Sequence, residues 1–289
     1  MSNFMLRTLS LVALAFTMTC STLTSTLSAD ENVYQSTLKS TAWITTSNAT
    51  GTGVVVDRDE RLVITNYHVI QGNEKVTVFF PTERAGRTVA EKSFYRQNKK
   101  LGIPALVVAS DKQRDMAILK LDRIPDGIEA IVIGKPCSPG QSIHSLGNPG
   151  ASGALWNYSC GKVRQNYYME TRYEFGKTQM QMLETTALIN EGDSGGPIVN
   201  DEGELVGISQ GYARKHRGYS YGVDISEVTW YLKQYSKSST MKVATDSSDS
   251  NLPKVNSDLD TNTPAGETKS VSAKPGSFKD LPVFASNDK

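Results

Sequence analysis

At 289 residues the chain has room for one large domain or two ordinary ones, and a hydrophobic content of 38% suffices for a packed core. Basic and acidic residues nearly cancel, 31 against 30, leaving a net charge of +1. That balance argues against nucleic acid or an anionic membrane as the main partner, and past the N-terminus no stretch approaches the roughly 20 apolar residues that cross a bilayer.

The first 29 residues read as a signal peptide. Arg7 precedes an apolar stretch from Leu9 to about Met18, and Leu27-Ser28-Ala29 offers a small residue before a cut site. The mature protein is thus expected to begin at Asp30 and to be exported, periplasmic or extracellular. The apolar core is too short for a transmembrane anchor, and Thr17-Met18-Thr19 before Cys20 fits a lipidation site poorly. No stable membrane insertion is expected after cleavage.

From about Val33 to Tyr235 short apolar runs are broken by Gly, Pro and Asn. In order they are Thr41 to Thr45, Gly53 to Val56, Leu62 to Thr65, Val76 to Phe80, Ala105 to Ala109 and Met116 to Leu121. Ile128 to Ile133, Ser142 to Leu146, Met180 to Leu183, Pro197 to Val199 and Leu205 to Ser209 follow. Their Val, Ile, Thr and Tyr content and their spacing predict an all-β barrel or sandwich. Long amphipathic helices between strands are missing, which argues against an α/β hydrolase. The basic segment from Thr82 to Gly102, with Arg84, Arg87, Lys92, Arg96, Lys99 and Lys100, reads as a long solvated loop or extended hairpin.

Leader removal leaves Cys137 and Cys160, an even remainder that permits one disulfide in an oxidising compartment; two unpaired thiols are the other reading. Ile225, Val228, Thr229 and Leu232 recur at helical spacing behind Asp224, and Glu227 three residues on completes a capping box. A helix therefore closes the folded domain, expected over 30–235. Residues 236–289 are dominated by Ser, Thr, Asp, Lys, Asn and Pro and read as a disordered tail, with Leu281-Pro282-Val283-Phe284 a chance apolar patch within it.

A serine hydroxyl needs a base to take its proton and a third group to orient that base. Ser194 lies in Gly192-Asp193-Ser194-Gly195-Gly196-Pro197, where Gly192 frees the backbone to aim the amides of Gly192 and Ser194 at one oxyanion. A plain glycine-rich turn would also read this way. Of three histidines, only His68 directly follows a strand that ends in a tight turn. His144 falls inside an alternating run and His216 in a basic turn. Asp115 opens the apolar run Met116 to Leu121, which can hold its carboxylate at a buried edge, whereas Asp111 and Asp122 read as turn residues. The catalytic set is therefore His68, Asp115 and Ser194. No His/Cys cluster has metal-ligand spacing, and the chemistry calls for neither metal nor cofactor.

Five segments together resemble the protease domain of HtrA/Deg-type serine proteases within the trypsin-like superfamily. They are Gly51-Thr52-Gly53-Val54-Val55-Val56, Thr65-Asn66-Tyr67-His68-Val69, Asp115-Met116-Ala117-Ile118-Leu119, Gly147-Asn148-Pro149, and Thr186 through Pro197. The resemblance covers about Gly51 to Leu232. It implies a double six-stranded antiparallel β-barrel with a C-terminal helix, the site lying in the cleft between barrels. It implies polypeptide substrates that pair with a strand edge near Ile208 to Gly211, so that Leu188, Ile208 and Gln210 become substrate-binding candidates. A homotrimer is also within the family's habits.

Three features depart from the family's pattern. The segment after Tyr235 does not read as a PDZ domain, Asp193 stands where the family usually has Asn, and the loop from Thr82 to Gly102 looks longer than expected. Leu188 matches the pocket floor of trypsin-like enzymes, and an uncharged floor with Ile208 on the wall favours a small or medium apolar residue before the scissile bond. The leading expectation is a serine endopeptidase acting on exported or unfolded proteins. A catalytically weak peptide-binding or chaperone-like module on the same fold is the alternative.

Overall fold

The computed structural model describes residues 29–173, 175–212 and 218–248; residues 1–28 of the expected leader, His216 and the chain beyond Ser248, Leu281 to Phe284 included, lie outside them. A helix, α1 (Ala29–Leu38), leads into a closed six-stranded barrel. Around it run β1 (Thr41–Thr45), β2 (Thr50–Asp57), β3 (Leu62–Thr65), β8 (Met116–Leu121), β7 (Ile103–Asp111) and β4 (Lys75–Phe79). A second closed barrel follows, in the order β9 (Ser142–Gly147), β10 (Asn157–Tyr173), β11 (Gly176–Thr185), β14 (Ser220–Asp224), β13 (Leu205–Tyr212) and β12 (Pro197–Val199). The chain then enters helix α4 (Ile225–Ser248). The expected double barrel with a C-terminal helix is the fold observed.

Burial on both faces explains why the strand runs are apolar without alternation. Successive side chains of a strand point to opposite faces. Val55, Val63 and Leu119 fill the first barrel, while their neighbours Val54, Ile64 and Ile118 face a second core. That second core also takes Met180, Met182, Ile208, Tyr221 and Val223 from the other barrel and Ile225, Val228 and Tyr231 from α4. β2, β3 and β8 are therefore walls shared between the first interior and the junction. At about 25 cal/mol per Å² of apolar area removed from water, such a junction ties the barrels into one unit.

Several elements differ from the expectation. Ile128 to Ile133 is a connector rather than a strand: Ile131 N–H donates to Val55 O (2.8 Å) and Leu205 N–H to Val132 O (2.8 Å), so it runs from one barrel to the other by single bonds. β10 has no apolar signature in the sequence because much of it is exposed or half-exposed along its length, and β14, though fully buried, is a five-residue strand with Ser, Gly and Asp among them. The basic segment is not a solvated loop throughout. It holds a short hairpin, β5 (Glu83–Arg84) with β6 (Arg87–Thr88), and a helix, α3 (Lys92–Gln97), that buries Lys92 and Tyr95.

Helix α4 runs on to Ser248, past the point where composition put the start of the tail. A helix anchored by packing propagates into residues that could not nucleate one. Its capping box is half-formed: Asp224 Oδ1 accepts the Ser226 N–H (2.9 Å), but Glu227 is drawn to Arg114 Nε (2.8 Å) and the Gln181 N–H (2.9 Å) instead. The permitted disulfide is absent, and Cys137 and Cys160 are free thiols. Cys137 packs inside the second barrel with Ile143, Val163 and Leu183, whereas Cys160 is exposed on β10, so the sulfurs face different environments. Burial pushes the Cys137 thiol up to about 11.

Candidate active site

β3 ends at Thr65, and the chain turns through Asn66 into a one-turn helix, α2 (Tyr67–Ile70), that carries His68. The turn is fastened to Asp115. Tyr67 N–H (3.1 Å) and Asn66 Nδ2 (2.9 Å) both donate to the Asp115 carbonyl, and His68 N–H donates to its Oδ1 (2.9 Å). The remaining carboxylate oxygen, Oδ2, lies 2.7 Å from His68 Nδ1. With a proton on Nδ1 to serve that carboxylate, the imidazole keeps its lone pair on Nε2, the tautomer of a base.

Asp115 is fully buried and takes a left-handed backbone, φ 50°. Such a conformation costs about 1 kcal/mol for a non-glycine residue, less for Asp, and the bonds just described more than offset it. A third carboxylate contact comes from the other barrel, where Gln210 Nε2 on β13 donates to Asp115 Oδ2 (3.1 Å).

The tip of the β10–β11 hairpin roofs this pair. Tyr173 stacks over His68 with centroids 6.5 Å apart and planes 9° from parallel, Phe175 stacks on Tyr173 at 4.9 Å, and the same Phe175 meets Tyr67 edge-on at 5.0 Å. Tyr173 is buried, and its hydroxyl is held well above the usual phenol range by that burial, with the Asp115 charge adding to it.

Ser194 sits in a turn that only glycine can make. Gly192 and Gly195 have φ of 97° and 87°, and a Cβ on either would run into backbone atoms of Asn148 or Thr52. The turn is pinned from three sides. Thr52 Oγ1 donates to Gly192 O (2.8 Å), Thr52 N–H to Ser194 O (2.9 Å), and Gly150 N–H to Glu191 O (2.6 Å). Among the described residues the amides of Gly192 and Ser194 have no hydrogen-bond acceptor. Ser194 Oγ donates to the Gln210 carbonyl (2.9 Å). Asp193, beside it, is buried; its Oδ2 accepts the Asn190 N–H (2.7 Å), and burial raises its carboxyl to about 6.

His68 is bonded to Asp115, Asp115 to Gln210 and Gln210 to Ser194, so one hydrogen-bonded chain links the three residues across the barrel junction, with Gly192 in the turn. The substrate-binding candidates fare differently. Ile208 is fully buried in the inter-barrel core, and Gln210 is turned inward to Asp115, so neither side chain lines an open pocket. Leu188 is 69% exposed and no pocket floor; it opens on a cavity of about 350 Å³ shared with Ser145, Tyr158, Ser159 and Asp193. His144 is structural, its ring nitrogens 2.6 Å from Tyr158 Oη and 2.9 Å from Asp201 Oδ1. Sequence reasoning missed Thr52, Asn148, Tyr173 and Lys92. Only Thr52, boxed between Gly51 and Gly53, and Asn148, between Gly147 and Pro149, had a local signal.

Residues 51–208, more than half of the chain, match the family of the trypsin-like peptidase domain. The chain belongs to that family. DegS, a serine endoprotease of Salmonella typhimurium, is 32% identical over 184 residues, covering 62% of this chain and 44% of DegS. HTRA1A, a serine protease of Danio rerio, is 25% identical over 194 residues, covering 64% of this chain and 34% of its own length. The chain spans less than half the length of these relatives. Among solved structures, the active form of the Rv3671c protease from M. tuberculosis superposes with a TM-score of 0.57 at 23% identity, over 70% of this chain and 82% of that one, a likeness of fold. This trypsin-like peptidase domain is thus related to the HtrA/Deg serine proteases.

Proposed function

We propose that this trypsin-like domain is a serine endopeptidase acting through an acyl-enzyme on Ser194. The observation that carries the reading is the buried Asp115 carboxylate held 2.7 Å from His68 Nδ1 and joined through Gln210 to Ser194, whose Oγ donates to the Gln210 carbonyl. In this reading Ser194 Oγ leaves the Gln210 carbonyl by rotation about χ1 and gives its proton to His68 Nε2 as it attacks the scissile carbonyl. Asp115 keeps the imidazole in its tautomer and supports the positive charge that forms. The amides of Gly192 and Ser194 take the oxyanion, each worth about 3 kcal/mol in the transition state. His68 then protonates the leaving amine, and water, activated by the same imidazole, releases the acyl group.

The substrate is an extended polypeptide, and exported or unfolded proteins are the class proposed. β13 is paired with β14 through Tyr212, but its ladder with β12 stops at Ile208. The edge from Gln210 onward is therefore available for a peptide strand to add to the sheet. A fluorophosphonate probe should label Ser194, and the protein should cleave unfolded casein. Ser194→Ala should abolish both, with a fall in kcat of roughly six orders of magnitude. A Ser194→Ala protein that cleaves casein at the native rate would sink the assignment; a native protein that never labels would favour a peptide-binding module.

A further inference from the structure

Two departures from the family's pattern, an acid at position 193 and the long basic segment ahead of β7, meet beneath the nucleophile. Lys92 opens α3 and is only 4% exposed. Its backbone is stitched to the second barrel: Lys92 N–H donates to Gly153 O (2.9 Å), and Leu155 N–H donates to Ala90 O (2.7 Å). Its Nζ donates to the Pro149 carbonyl. The segment it grips, Gly147 to Gly150, is packed directly on the oxyanion turn. A Cβ on Gly147 would collide with the Asp193 carboxylate, and one on Gly192 would collide with Asn148 O and Gly150 N.

Asp193 packs against this segment at Gly147, 5% exposed, with Oδ1 accepting no hydrogen bond among the described residues. A buried carboxylate with one orphan oxygen is expensive unless a cation compensates it. Burial raises the Asp193 carboxyl, against the Asn190 hydrogen bond and then the Lys92 charge; burial and Arg96 lower the Lys92 ammonium, against the Asp193 charge.

We propose that Lys92 is a positioning residue for the oxyanion turn, a buried ammonium that balances Asp193 and clamps Gly147 to Gly150 beneath it. The proposal rests on the peptidase reading for its kinetic consequence and on the fold alone for its electrostatic one. An Asn at 193 would carry no charge and need no cation; the acid at 193 and the buried lysine of the long segment therefore belong together. Lys92 acts through the turn and touches no substrate.

The test is a double-substitution cycle on the full chain with Lys92→Met and Asp193→Asn, read by fluorophosphonate labelling, by kcat and KM on a peptide, and by thermal unfolding. Lys92→Met alone should lower kcat about a hundredfold, the scale of a lost oxyanion donor, with KM within threefold. In the Asp193→Asn background the same change should cost less than threefold, and it should lower Tm far less than in the native background. Equal penalties in both backgrounds, or none in the native one, would overturn the proposal. If Lys92→Met alone does not fold, recovery of the folded state on adding Asp193→Asn supports the pair, and failure to recover refutes it. A native protein that does not label would defeat the peptidase reading but leave the unfolding arm of the cycle intact.

Discussion

Thr52→Val tests whether the first barrel holds the oxyanion turn in shape. Valine matches threonine closely in volume and keeps the β-branch that suits β2, so the substitution removes little but Oγ1. That oxygen uses its whole capacity, donating to Gly192 O (2.8 Å) and accepting from Asn148 N–H and Nδ2 (both 3.1 Å). Asn148 Nδ2 would still reach Ala42 O (3.1 Å), but Gly192 O and Asn148 N–H would be left buried without partners. At about 1–3 kcal/mol per stranded group, the loss should lie near 4 kcal/mol. Guanidinium unfolding should show a lower midpoint with an unchanged m-value. Labelling at Ser194 should slow at least tenfold, because the carbonyl that fixes the Gly192 peptide plane is released. Thr52→Ser, which keeps the hydroxyl, should lose less than about 1.5 kcal/mol and label near the native rate. A Thr52→Val protein within 0.5 kcal/mol of native that labels normally, against the 1 kcal/mol or more of a stranded group, would refute the reasoning.

Other expectations can be checked with the same reagents. Gln210→Met removes the cross-barrel donor to Asp115 Oδ2; a lost charge-assisted bond of about 1.5 kcal/mol should cut kcat roughly tenfold, and unaltered kcat would assign that contact no role. Tyr173→Ala strips the roof from His68 and should cost about 3 kcal/mol in stability and slow labelling, whereas Tyr173→Phe should retain both; equal effects of the two would point to the hydroxyl instead of the ring. Asp193, at about 6 in the native state against 3.8 for a free carboxyl, holds a proton between those values that the unfolded chain has released. Its contribution to stability therefore falls as pH rises through that window, by about 3 kcal/mol in all; unfolding measured from pH 4 to 7 should be flatter for Asp193→Asn, and parallel curves would contradict the shift. In a chain starting at Asp30, a thiol reagent should react at once with Cys160 and with Cys137 only after denaturation; a denatured, unreduced sample with no free thiol would establish a bridge.

What the sequence discloses about this fold depends on whether a residue's role is local. The strands β2, β3 and β8 are legible because burial on both faces leaves uninterrupted apolar runs. Ser194 is legible because its turn demands glycines beside it, and His68 and Asp115 because each follows or opens a strand. The tip of the β10–β11 hairpin escapes notice, since Tyr173 owes its place over His68 to pairing far along the chain. Lys92 escapes for the same reason: among five other basic residues it looks solvated, and only the fold brings it under Pro149. Their place near the peptide edge makes Ile208 and Gln210 substrate-binding candidates in the sequence, but strand alternation and a bulge after Ser209 send both side chains inward. Exposure of Leu188 could not be foreseen from its spacing to Ser194, because six residues of turn do not fix a direction.

The bonds that cross from one barrel to the other bear on when the chain becomes active. On the proposed reading neither half contains a working centre: one carries His68 with Asp115, the other Ser194, and Gln210, Thr52 and Asn148 latch them together. On the proposed peptidase reading, a chain with only one barrel folded leaves Ser194 no more reactive than any other hydroxyl.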